Sequence, residues 1–107
     1  MKSRLTLQTE LENLIGKRKD GKQNVYFQPP ESVKLVYPCI VYHESDIDIR
    51  HADDGKYIMN GEYQVKIIEK DPDSDLKIRL LNEFKHIRFD RSFTADNLYH
   101  RIFTLYY

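Results

Sequence analysis

Apolar residues fall into two kinds of period along the chain. From about Leu5 to Ile15, the residues Leu7, Leu11, Leu14 and Ile15 recur at helical spacing with polar residues between them, which predicts an amphipathic helix. Gly16 is its expected stop. "NVYFQ" has strand composition, and Pro29-Pro30 closes it. In "VKLVYPCIVYH" an extended chain puts Tyr37, Cys39, Val41 and His43 on one face and Ile40 and Tyr42 on the other. Pro38 cannot donate to a ladder, so it is expected at the strand start or on an edge. "DIDIRHADDGKY" alternates Ile47 and Ile49 with acids, which predicts a short or projecting strand. Asp54-Gly55 and Asn60-Gly61 are both turn signals. The stretch from Tyr63 to Ile68 is the clearest strand, with Tyr63, Val65 and Ile67 facing one way and Gln64 and Lys66 the other.

After Lys70 the period changes. Asp71 precedes Pro72 and is biased away from helical backbone, so Asp71 is expected as a helix N-cap with Pro72 at the first helical position. Asp73 and Asp75 would then sit in the first turn, where the helix dipole favours negative charge. Leu76, Leu80, Leu81, Phe84 and Ile87 supply the apolar face of this second helix. "RFDRSF", the break "TADN" and "HRIFTLYY" follow, the last piece setting Phe103, Leu105 and Tyr107 against Ile102, Thr104 and Tyr106. The order predicts a single α+β domain over residues 1–107, with two helices packed on a mostly antiparallel sheet of about four to five strands. The chain shows no internal repeat and no low-complexity segment.

Composition narrows the picture. At 107 residues, 40% of them hydrophobic and 12% aromatic, the chain can bury one modest core. No apolar run approaches the roughly 20 residues that a membrane helix needs. The first residues, with Glu10 and Glu12, lack the apolar block of a secretion signal, so a cytosolic protein without membrane contact is expected. The single cysteine, Cys39, excludes an internal disulfide and is expected as a small core residue. Seventeen basic residues balance 17 acidic ones, which argues against a dedicated nucleic-acid binder. The charges are nevertheless clustered. Lys17, Arg18, Lys19 and Lys22 lie around Asp20-Gly21, while Glu44, Asp46, Asp48, Asp53 and Asp54 form one acidic group and Asp71, Asp73 and Asp75 another. These clusters are either solvated loops or opposite-signed patches that meet between copies of the chain.

Catalytic signals are weak. His43, His51, His86 and His100 are unpaired at helical ligand spacing, and no recognised metal set, phosphate-binding glycine loop or nucleophile elbow occurs. The expectation is a chain that is not an enzyme and takes no metal or cofactor. Eight tyrosines and five phenylalanines point elsewhere. Phe89, Phe93, Tyr99, Phe103, Tyr106 and Tyr107 cannot all face one small core, because one layer of helices covers one face of a sheet. Tyrosine suits protein interfaces, which makes Tyr99, Tyr106 and Tyr107 candidate contact residues unless loops cover them.

"YPCIVY", "ADDGKY", "GEYQVKIIEKDPDSDL" and "FDRSFTADNLYHRIFTLYY" together resemble the tail-terminator, or tail-completion, proteins of long-tailed bacteriophages. The resemblance runs from about Val25 to Tyr107, with the N-terminal helix also in the expected place. It implies a structural role in the neck of the virion, assembled in the host cytoplasm. Proteins of this kind form a hexameric ring on the head-proximal end of the tail tube. The ring halts growth of the tail-tube protein, offers a docking surface to the head connector protein and lets DNA pass through its opening without specific binding. On that resemblance the acids of 44–54 or 69–75 face the opening or a neighbouring subunit, and Lys17, Arg18, Lys19 and Lys22 lie on the complementary side. The other classes compatible with the residues are a different head–tail connector adaptor or minor capsid protein, and a small cellular ligand-binding domain or enzyme.

Overall fold

The computed structural model of the chain describes residues 4–16, 24–51 and 57–107, and for 46–51 and 57–60 it describes the backbone alone. The expected fold class holds: two helices pack on a five-stranded, mostly antiparallel sheet. The elements are α1 (Arg4–Ile15), β1 (Val25–Phe27), β2 (Cys39–His51), β3 (Tyr57–Glu69), α2 (Leu76–Glu83), β4 (Ile87–Ala95) and β5 (Leu98–Tyr106). The strand order is β1-β2-β3-β5-β4, with β1 parallel to β2 and every other pair antiparallel.

Helix α1 ends as its sequence predicts. Gly16 takes φ +82°, a conformation open to glycine, and its N–H bonds to Glu12 O at 3.0 Å. Leu7 and Leu11 are buried, with Leu14 and Ile15 partly so. Burying an aliphatic side chain of this size stabilises by about 1.5–3 kcal/mol, so the leucines are the main anchor of α1. Polar contacts fix its rotation. The Tyr42 hydroxyl donates to Gln8 Oε1 (2.5 Å) and accepts from Arg4 Nη1 (3.3 Å), while Gln8 Nε2 donates to Val25 O (3.2 Å). The Arg4 guanidinium lies 4.4 Å from the centre of the Phe27 ring.

The helices cover one face of the sheet. Val25, Ile40, Tyr42, Tyr63, Val65, Ile67, Phe103, Leu105 and Tyr107 meet Leu7, Leu11, Leu76, Leu80 and Phe84 there. The alternation expected for 40/42, 63/65/67 and 103/105/107 is the one observed. A smaller cluster on the opposite face joins Cys39, Ile68 and Leu98, flanked by Tyr26, Leu35, Tyr37 and Val41. Cys39 is a fully buried core residue, as expected. Pro38 immediately precedes β2, and its peptide bond with Tyr37 is cis.

Three local expectations are corrected. Asn60-Gly61 is no turn: both residues lie inside β3, paired with Asp48 and Ile47. The turn signal yields because pairing carries β2 and β3 on together to His51 and Tyr57, so each strand has 13 residues. The segment around "DIDI" is therefore long rather than short. Helix α2 starts at Leu76, not Pro72. Asp71 Oδ1 accepts from Asp73 N (2.9 Å), which closes a local turn instead of capping the helix. Ser74 Oγ accepts from Leu76 N (3.2 Å), and the Asp75 carbonyl receives the N–H groups of Ile78 and Arg79 at 3.0 Å each. Finally, Ile87 belongs to β4, because Phe84 is already extended and ends the helix.

Candidate assembly surfaces

Two features of the sheet are left without a neighbour among the described residues. The first is a ribbon. Pairing of β1 with β2 stops at Tyr42, and pairing of β3 with β5 stops at Glu62. The β2–β3 pair continues for five more steps, from Ile47↔Gly61 to His51↔Tyr57. At about 3.4 Å per residue this carries the ribbon ~17 Å past the sheet, and the molecule is correspondingly long, 51 × 26 × 25 Å. Gly61 is the root: it is buried, and its carbonyl accepts from Tyr107 N at 2.9 Å. A register shift between Glu44 and Asp46 marks the same place on β2. By register, positions 57, 59 and 61 continue the helix-side face of Tyr63, opposite positions 51, 49 and 47. The sequence there is Tyr57, Met59, Gly61, Ile47, Ile49 and His51, whereas the other face has Asp46, Asp48, Arg50, Ile58 and Asn60.

The second is the outer edge of β4. Only β5 pairs with this strand, and seven of its nine residues are exposed. Phe89 is 48% exposed and Phe93 41%, an unusual degree for phenylalanine. They lie on opposite faces: Phe89 meets the core residue Phe103 edge-on at 5.5 Å, and Phe93 stacks on His100 at 4.7 Å with only 7° between the planes. A register shift between Phe89 and Arg91 forms a bulge at Asp90. It places Arg88, Asp90 and Arg91 on the face that no helix covers. Asp90 Oδ2 accepts from the Thr104 hydroxyl (2.5 Å) and Oδ1 from Arg88 Nε (2.9 Å). The Thr104 hydrogen bond, helped by Arg88, holds the Asp90 carboxyl below the usual carboxylate range despite partial desolvation. Burial and the positive charge of Lys66 lower His100, which stacks on Phe93.

The residues singled out from the sequence fall in different places. Lys17, Arg18, Lys19, Lys22, Asp53 and Asp54, and with them the Asp54-Gly55 turn, lie outside the described residues. Asp46 and Asp48 are ribbon positions. Asp71 and Asp73 are exposed, but at the far end of β3, which runs from Tyr57 to Glu69. Glu44, Asp46 and Asp48 pair with Tyr63, Glu62 and Asn60, so six to nine residues of strand, roughly 20–30 Å, separate them from Glu69 and the second group. Beside the second group, Arg101 makes a buried ion pair with Glu69 and donates to Pro72 O (3.2 Å). Tyr106 is 38% exposed and donates to Glu62 Oε1 (3.2 Å), and Tyr99 is half-buried with its ring centre 5.7 Å from the Arg101 guanidinium. Tyr107 is a correction. It is buried to 9% exposure against Phe84, with ring centres 6.0 Å apart, and so cannot present its ring to a partner. The alternation of Phe103, Leu105 and Tyr107 already pointed to that. Arg88 and Arg91 join these candidates through the strand order, which puts β4 outermost.

Two concave regions among the described residues are open grooves. One of about 480 Å³ runs between α1 and the segment after β1, lined by Arg4, Leu5, Gln8, Phe27, Pro30 and Val33 among others. Another of about 270 Å³ lies between Tyr37-Pro38 and the Glu69–Asp71 stretch. Among the described residues no three His, Cys, Asp or Glu side chains converge as metal ligands, and no helix is long and apolar enough to cross a membrane. Comparison with protein-family models, with curated proteins and with solved structures gives no match.

Proposed function

We propose that this chain is a structural neck protein of a long-tailed bacteriophage, one that caps the head-proximal end of the tail tube as a hexameric ring. The observation that carries this reading is the ribbon of β2 and β3 extending beyond the sheet. A two-stranded hairpin is marginal by itself in water, so a projecting one is better suited to a contact than to solvent. The exposed Phe89, Phe93 and Tyr106 offer aromatic surface of the kind interfaces use. The sequence resemblance to tail-terminator proteins supplies the setting: self-association, the tail-tube protein below and the head connector protein above.

The test is electron microscopy of polymerising cognate tail-tube protein, with and without gold-labelled chain. Label at one tube end together with arrested growth is the expected result. Unlabelled tubes that keep growing would reject end-capping, and binding to head particles instead would identify a connector adaptor.

A further inference from the structure

We infer that the ribbon of one copy adds to the free β4 edge of the next copy, through the outer side of β2 at positions 46–49. This deepens the ring reading above and rests on it for its biological setting, though not for its test.

Among the described residues, neither half of the contact has a strand paired to it on the side in question. Beyond Tyr42 no described strand flanks β2, and β4 has a neighbour on one side only. Open edges of this kind accept a further strand through main-chain hydrogen bonds. Side-chain pattern then selects the partner. On β4, Ile87 and Phe89 share the helix-side face with Leu105 and Phe103, while Arg88 and Arg91 share the uncovered face with Thr104 and Ile102. On the ribbon, register gives positions 47 and 49 to the helix-side face and 46, 48 and 50 to the other, and the sequence has isoleucine at the first pair and Asp46, Asp48 and Arg50 on the second face. A strand 46–49 laid antiparallel beside β4, with the two sheets continuous, would match Ile49 and Ile47 with Ile87 and Phe89 on one face. On the other it would match aspartate with arginine. Same-face cross-strand pairs of these kinds each stabilise by a fraction of a kcal/mol and penalise the inverted pairing.

The bulge at Asp90 interrupts the regular ladder that two β4 edges would need to pair with each other along their length. That favours a heterologous contact over a two-fold one. The ribbon springs from the middle of the sheet and β4 is its border, so each copy has one of each and the contact can repeat around a ring.

The test needs no tail tube. Self-association of the purified chain is followed by sedimentation velocity and native mass spectrometry from micromolar to millimolar concentration. Two variants are compared with it, a ribbon variant (Asp46→Lys with Asp48→Lys) and an edge variant (Arg88→Glu with Arg91→Glu). Circular dichroism and thermal melting show that each is folded. Each variant alone should associate more weakly, on the order of tenfold or more, because like charges now oppose. Mixed together they should associate again, since the basic ribbon of one meets the acidic edge of the other. A wild-type chain that stays monomeric throughout, variants that associate as it does, or a mixture that fails to recover would each overturn the inference. Such a failure leaves end-capping to be judged by microscopy, and a failure of end-capping leaves this contact intact.

Discussion

Arg101 on β5 and Glu69 at the end of β3 form an ion pair that is almost wholly withdrawn from water, their side chains only 10% and 3% exposed. Thirty-two residues apart in sequence, they tie the sheet to the turn before α2, because the same guanidinium donates to Pro72 O. The pair lies where the helix-side face runs out of apolar cover, next to exposed Asp71 and Asp73.

Removing one member should therefore cost far more than removing both. Arg101→Met is expected to lose about 3–5 kcal/mol, since Glu69 stays buried without its partner. The double variant Glu69→Leu, Arg101→Met should lie much closer to wild type. Urea unfolding checks this, read as a shift in midpoint at constant slope. Equal losses in the single and double variants would refute it.

Alkaline pH should unfold the chain through its buried phenols. Burial, followed by Glu10, pushes Tyr107 up to about 12, and burial also raises Tyr42 and Tyr63 above the ordinary 10.0. A folded-state value above the unfolded one stabilises fully below pH 10 and is lost as pH climbs through the folded value. Stability should thus fall between pH 10 and 12, and Tyr107→Phe should fall less steeply across that window. Urea midpoints at stepped pH measure both slopes; identical slopes would discount Tyr107.

Cys39 should be chemically silent in the native protein. Its thiol is fully buried and desolvation pushes it up to about 12, so at pH 8 on the order of one molecule in ten thousand carries the thiolate. Labelling by a thiol reagent should be slow, independent of reagent concentration and set by the rate of opening. Rapid labelling in native buffer would contradict the burial of Cys39.

The β4–β5 hairpin turns on two residues with left-handed backbone, Asp96 at φ 54° and Asn97 at φ 63°. Both types tolerate that region, and paired positive φ is what a two-residue hairpin turn demands. Asn97→Gly should be neutral or slightly stabilising, whereas Asn97→Val should cost about 1–2 kcal/mol. Thermal unfolding of the two variants separates these outcomes; equal melting temperatures would refute the assignment.

Much of the fold was legible because one alternation or one helical stripe decided each element. Leu7 and Leu11, Ile40 and Tyr42, and the 63/65/67 and 103/105/107 sets all face the core as their spacing indicates. Local signals failed where a competing bond was stronger. Asn60-Gly61 reads as a turn but is overruled by pairing with Asp48 and Ile47, and Asp71 spends its carboxylate on Asp73 N rather than on a helix. The candidate surfaces were less legible. Asp46 and Asp48 could be noticed as acids, yet their position on a projecting ribbon follows from where β1 and β5 stop. Arg88, Arg91 and Phe89 gain interest only once β4 is known to be outermost.

Strand β3 links these surfaces mechanically. A single continuous strand runs from the ribbon, past Gly61, into the middle of the sheet, where β2 and β5 grip it on both sides as far as Ile68. Tension applied to the ribbon along its axis is drawn straight through the centre of the domain. It loads the hydrogen bonds on both flanks of β3 in shear, many at once, rather than peeling them open singly. A chain held by its ribbon would transmit a pull to its whole sheet before any one pair gave way.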